Sequence, residues 1–136
     1  MPECPEIALT SQVLSKYKNK TIKQINIFNK KYNKLEILND KKYKIKNIDS
    51  KGKILYFELE NQNNVIYLLN QFGLTGYWSN FQEKNTKIEI IFVQDDKIYF
   101  TDNLNFGNIT ISNNLDKLDK LGLDYLHLCT FKTPIF

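Results

Sequence analysis

From residue 21 onward the apolar residues fall at every second position, in short runs broken by turn signals. The runs are "TIKQINIF" (21–28), "YKIKNID" (43–49), "KILYFELE" (53–60) and "NVIYLLN" (64–70), followed by "KIEIIFV" (87–93), "KIYFTD" (97–102) and "NITIS" (108–112). A period of two places alternate side chains on opposite faces of a strand, so each run predicts a strand with one buried face. "KILYFELE" shows the pattern best, with Leu55, Phe57 and Leu59 alternating with Tyr56 and Glu58. "NQNN" (61–64) and "QDDK" (94–97) predict hairpin turns. Seven or eight short antiparallel strands in 136 residues predict a single mostly β domain, a two-sheet β-sandwich with flanking helices.

The period changes to helical only at the ends. "PEIALTSQVLSKYK" (5–18) predicts an N-terminal helix, with Ile7, Thr10, Val13, Leu14 and Tyr17 on one stripe. "NNLDKLDKLG" (113–122) predicts a short helix with Asn114 as N-cap and Gly122 as its stop. No stretch reaches the length of a transmembrane helix, and the first residues are acidic rather than basic then apolar, so the expected protein is soluble and intracellular. Cys4 and Cys129 form no CxxC pair and lack clustered histidines, which predicts neither a structural zinc site nor a disulfide framework. Cys4 reads as a small buried residue, and His127, the single histidine, as structural or exposed.

All nineteen basic residues are lysine. An AT-rich genome, such as that of a large DNA virus, gives this bias. Arginine is the usual bidentate fork for phosphate and guanine, so its absence constrains any nucleic-acid reading. The net charge of +4 is unevenly spread: from Lys16 to Lys53, thirteen lysines face only Glu36, Asp40 and Asp49, a net +10. That segment suits a polyanion-binding face, and equally a solvated lysine-rich surface.

"MPECPEI" has two readings. One is a helix start, with Pro5 near the first helical position and Glu6 in the first turn. The other is chemical. With Met1 removed, Pro2 offers a secondary α-amine that titrates near about 8, against about 10.4 for lysine, so much more of it is nucleophilic at neutral pH. Attack on a sugar's anomeric carbon gives an iminium that acts as an electron sink, and Glu3 stands beside it to shuttle protons. Elsewhere, Lys53 follows Gly52 at the head of a strand, Gly73 and Gly76 bracket Leu74, and Phe106 precedes Gly107 in a loop between strands. Taken singly, Lys53 also suits a solvated strand end, and Leu74 and Phe106 also suit a core.

In order, "MPECPEI", "KNKTIKQI", "GKILYFEL", "FGLTGYW", "NFGNITI" and "LGLDYL" resemble the motifs of the formamidopyrimidine-DNA glycosylase / endonuclease VIII family of base-excision repair enzymes, over residues 1–126. The resemblance implies that family's N-terminal catalytic domain, acting as a DNA glycosylase and AP lyase that removes oxidised bases and then cuts by β-elimination. By the same resemblance Pro2 is the Schiff-base nucleophile, Glu3 the proton shuttle and Glu6 a support for site geometry. Lys53 contacts phosphate and sugar oxygen, and Leu74 and Phe106 fill the gap left by a flipped nucleotide. The implied partner is damaged DNA, duplex or single-stranded, with no cofactor or metal in the chemistry. The family's arginine before the phenylalanine is Asn105 here; that arginine pairs with the base opposite the lesion, and Asn105 lacks its fork. The histidine often found before the Leu-Gly loop is Gln71. Residues 127–136 are expected to be the start of a helix–two-turn–helix domain that the chain does not complete. The alternative reading is a weakly active or non-catalytic remnant, a DNA-binding or interaction module.

Overall fold

A computed structural model describes residues 3–116. The N-terminal helix α1 spans Cys4–Leu14 and passes into a short 3₁₀ turn, Ser15–Tyr17. Its start is a capping box between Glu3 and Glu6, with Pro5 in the first turn where its missing N–H costs nothing. The buried stripe runs Cys4, Ile7, Ser11 and Leu14, one residue out of phase with the expected stripe in its middle, because Val13 points to solvent. Ser11 tolerates burial by donating its hydroxyl to the Ala8 carbonyl at 2.7 Å.

Eight strands follow: β1 (Ile22–Ile27), β2 (Lys44–Lys51), β3 (Ile54–Asn61), β4 (Asn64–Gln71), β5 (Gly76–Ser79), β6 (Thr86–Phe92), β7 (Lys97–Asp102) and β8 (Asn108–Ser112). They form two antiparallel four-stranded sheets, ordered β1-β6-β7-β5 and β2-β3-β4-β8. This is the two-sheet sandwich expected. Both predicted hairpins are present: Gln62 and Asp95 take the left-handed conformation in turns that join β3 to β4 and β6 to β7. Leu55, Phe57 and Leu59 face the core and meet Ile88, Ile90, Phe92 and Phe100 of the other sheet. Trp78 packs between Phe57 and Phe100, each 5.3 Å away, and donates its indole N–H to the buried Asn70 side chain at 2.7 Å. Asn70 in turn donates to the Asn108 carbonyl, so one polar network joins the two sheets through the core.

Two elements were not foreseen. β5 is four residues long and sits inside what reads as a loop. Lys30–Asn39 forms a ten-residue 3₁₀ helix between β1 and β2, packed on β1 and β8. Tyr32, Leu35 and Leu38 are its buried residues, spaced by three as a helix of three residues per turn requires. Asn39 closes it by bonding both the N–H and the C=O of Ile25, which satisfies that residue's groups on the open edge of β1. Asn114 accepts from the Asp116 amide as an N-cap would, and the rest of the helix expected over 113–122 lies outside the described residues. So do His127 and the expected second-domain start at 127–136.

Candidate active site

The sheet register gathers the predicted residues at one end of the sandwich. Across the second sheet, Lys51 pairs with Ile54, Ile54 with Gln71, and Gln71 with Asn108. This row carries the Gly52–Lys53 turn, the end of β4 and the start of β8. In the first sheet Gly76 pairs with Asp102. The Phe72–Thr75 loop therefore leaves the row to reach the first sheet, and the Asn103–Gly107 loop returns beside it.

Lys53 lies in the two-residue turn between β2 and β3, where Gly52 has a φ of 62°. Its side chain is only 11% exposed, which a lysine does not accept without a partner. The partner is Glu3: Lys53 Nζ lies 3.6 Å from Glu3 Oε2. Two residues fifty positions apart are thus brought together at the start of α1, and Lys53 is not a free solvated strand end. Glu6 Oε1 accepts from the Glu3 amide at 3.4 Å, which places Glu6 in support of Glu3's backbone. Pro2 itself lies outside the described residues.

Leu74 and Phe106 are not core residues. They are 48% and 66% exposed at the tips of the adjacent loops. The loop backbones touch: a Cβ on Gly73 would stand 2.5 Å from the Gly107 nitrogen and 2.7 Å from the Phe106 carbonyl carbon. Gly73 also has a φ of 68°, so glycine is required there by both space and backbone.

The residue that joins the two loops is Asp102, which sequence reading missed. It is fully buried at the end of β7. Oδ1 accepts from the Thr75 hydroxyl at 2.6 Å and Oδ2 from the Gly107 amide at 2.7 Å. Thr75 Oγ1 in turn accepts from the Leu104 amide at 3.0 Å. One carboxylate thus fastens the Leu74 loop to the Phe106 loop. The signal for it was an acidic residue at the last position of an apolar strand, a place where burial demands donors. Below lies Tyr32, whose phenol is pushed well above its ordinary range by burial and then by the charge of Asp102.

Asn105 takes the left-handed conformation, with a φ of 61°. Its amide donates to the Asp102 carbonyl at 3.3 Å, and its own carbonyl accepts from Lys31 Nζ at 2.7 Å. Its Oδ1 is buried without a hydrogen-bond partner among the described residues. Among the described residues, no three His, Cys, Asp or Glu side chains converge to ligate a metal ion, and no helix is long and apolar enough to cross a membrane.

No curated protein sequence matches the chain. Among solved structures, MutM (Fpg) from Thermus thermophilus superposes with a TM-score of 0.75 at 25% identity, covering 90% of this chain and 45% of that one. Lactococcus lactis Fpg, solved in complex with abasic-site DNA, gives 0.74 at 19% identity, covering 88% and 47%. MutM in complex with DNA containing carbocyclic 8-oxo-G gives 0.75 at 21%, covering 88% and 48%. The chain therefore spans about half the length of the solved proteins it matches. The family model for the formamidopyrimidine-DNA glycosylase N-terminal domain matches residues 1–109, and the chain belongs to that DNA glycosylase family.

Proposed function

We propose that this chain acts on damaged DNA as a glycosylase and AP lyase, with its N-terminal proline as nucleophile. The Pro2 amine attacks C1′ of the damaged nucleotide, the bond from C1′ to the base breaks, and the base leaves with a proton. The C1′–O4′ bond then opens as O4′ takes a proton, and the nitrogen lone pair forms an iminium at C1′ that draws electrons from C2′. Loss of a C2′ proton then expels the 3′ phosphate by β-elimination. Glu3 moves the protons at the sugar, and Lys53 holds the phosphate and sugar oxygen. Leu74 and Phe106 fill the space left in the stack.

The observation that carries this reading is the Glu3–Lys53 ion pair. It supports the reading because it joins a carboxylate and a largely buried ammonium at Glu3, the residue that follows Pro2 in the sequence. Relatives solved with abasic or 8-oxo-G-type DNA support the substrate class. Asn105 supports the alternative of a weakly active remnant, since its buried Oδ1 and missing fork leave that side chain without a grip on the opposite strand.

The test is incision of an abasic-site oligonucleotide by protein whose Met1 removal is confirmed by mass spectrometry. The expected result is a β-elimination product, with Glu3→Gln slower by about a hundredfold or more, the scale of general acid–base catalysis. Absence of incision by folded, processed protein overturns the enzymatic reading and leaves the binding module.

A further inference from the structure

The loops that carry Leu74 and Phe106 hold no cationic side chain of their own. A cation reaches them from elsewhere. Lys31 stands in the first turn of the Lys30–Asn39 3₁₀ helix, where Asn29 caps its backbone amide at 2.9 Å. The next residue, Tyr32, is fully buried and fixes the helix to the core. The exposed Lys31 side chain crosses to the Phe106 loop and donates to the Asn105 carbonyl at 2.7 Å. It makes no ion pair with a carboxylate among the described residues. Asn105 meanwhile turns its own side-chain oxygen inward.

We infer that Lys31 supplies the wedge's contact to the opposite strand: its ammonium, and not the side chain at position 105, contacts the base opposite the lesion. The inference rests on the lesion-filling role proposed for Leu74 and Phe106. An ammonium carries three N–H donors, and the Asn105 carbonyl uses one. The others suit any single acceptor. Each of the four bases presents an acceptor on its pairing edge once its partner is flipped away, and a point charge does not impose the two-point geometry of a guanidinium. The chain therefore tolerates all four opposite bases, where a fork at position 105 would choose among them.

The experiment measures binding of the full chain by fluorescence anisotropy. The duplexes carry a tetrahydrofuran abasic analogue opposite A, C, G or T, with a fifth in which the opposite nucleotide is also abasic. Wild type is expected to bind the first four within about threefold of one another. Lys31→Met is expected to weaken those four by about tenfold, the scale of a hydrogen bond from a charged donor, and to leave the fifth unchanged. Lys31→Arg is expected to retain affinity and introduce a preference among the four.

Equal losses on all five duplexes place Lys31 on a phosphate and overturn the inference, as does a Lys31→Met chain that binds like wild type. A wild-type chain that fails to distinguish tetrahydrofuran duplexes from an intact one fails at an earlier point. That result refutes the lesion reading itself, and this inference with it.

Discussion

Replacing Asp102 tests whether the two exposed tips form one rigid unit. Asp102 is fully buried and accepts two short hydrogen bonds, from the Thr75 hydroxyl at 2.6 Å and the Gly107 amide at 2.7 Å. Asp102→Ala removes both acceptors. The Gly107 N–H has no other acceptor among the described residues and becomes an unpaired buried donor, a loss of about 1–3 kcal/mol. The Thr75 hydroxyl can rotate, so its share is smaller, about 1 kcal/mol. The expected total is about 2–4 kcal/mol, a large part of the stability of a domain this size.

Asp102→Asn should cost less. Its oxygen can still accept from Gly107 while Thr75 turns its lone pair toward the new NH₂. The hydroxyl proton of Thr75 is then left without that acceptor, for about 1–2 kcal/mol. Urea unfolding followed through Trp78, the single tryptophan, half-buried against the core two positions beyond Gly76, gives both numbers in one assay. Hydrogen exchange at the Gly107 amide localises the change. An alanine variant less than about 1 kcal/mol below wild type, or one no worse than Asp102→Asn, refutes the clamp.

Gly73→Ala meets the Gly107 backbone at 2.5 Å from a left-handed conformation, and should lower stability by at least about 2 kcal/mol in the same melts. Leu74→Ala and Phe106→Ala should leave stability within about 0.5 kcal/mol, because both tips are exposed. Each should cost abasic-site DNA about 1–3 kcal/mol of binding by titration, the scale of a lost stacking contact. Tyr32 is raised by burial and by Asp102, so its neutral phenol supports the fold fully below the unfolded value of about 10 and loses that support as pH rises beyond it. Tyr32→Phe should therefore hold its urea midpoint at high alkaline pH better than wild type. At neutral pH it should be no less stable, since the buried hydroxyl has no hydrogen-bond partner among the described residues.

The sandwich was legible because period-two runs and turn residues agree along most of the chain, and each run named a strand within a few residues of its true ends. β5 escaped because four residues around two aromatics carry too little alternation to separate from a loop. The Lys30–Asn39 helix escaped because its buried residues repeat every three, a spacing that neither a strand nor an α-helix produces. At the site, Glu3 and Lys53 were legible as separate motif residues. Their meeting was not, because it depends on where the β2–β3 turn falls against the start of α1. Asp102 and Lys31 act through loop backbone, and such partners leave no periodic trace in a sequence. The α1 stripe was misjudged at Val13 because the buried serine at position 11 hides the true phase.

The central claim, that chemistry takes place at the chain's own N-terminus, is tested most directly by borohydride trapping. Protein confirmed to begin at Pro2 is incubated with an abasic-site oligonucleotide and reduced, and the adduct is mapped by mass spectrometry. A covalent link at Pro2, lost in Pro2→Gly and in protein that retains Met1, is the result expected of a secondary-amine nucleophile. An adduct on a lysine, or none from folded protein that begins at Pro2, contradicts it.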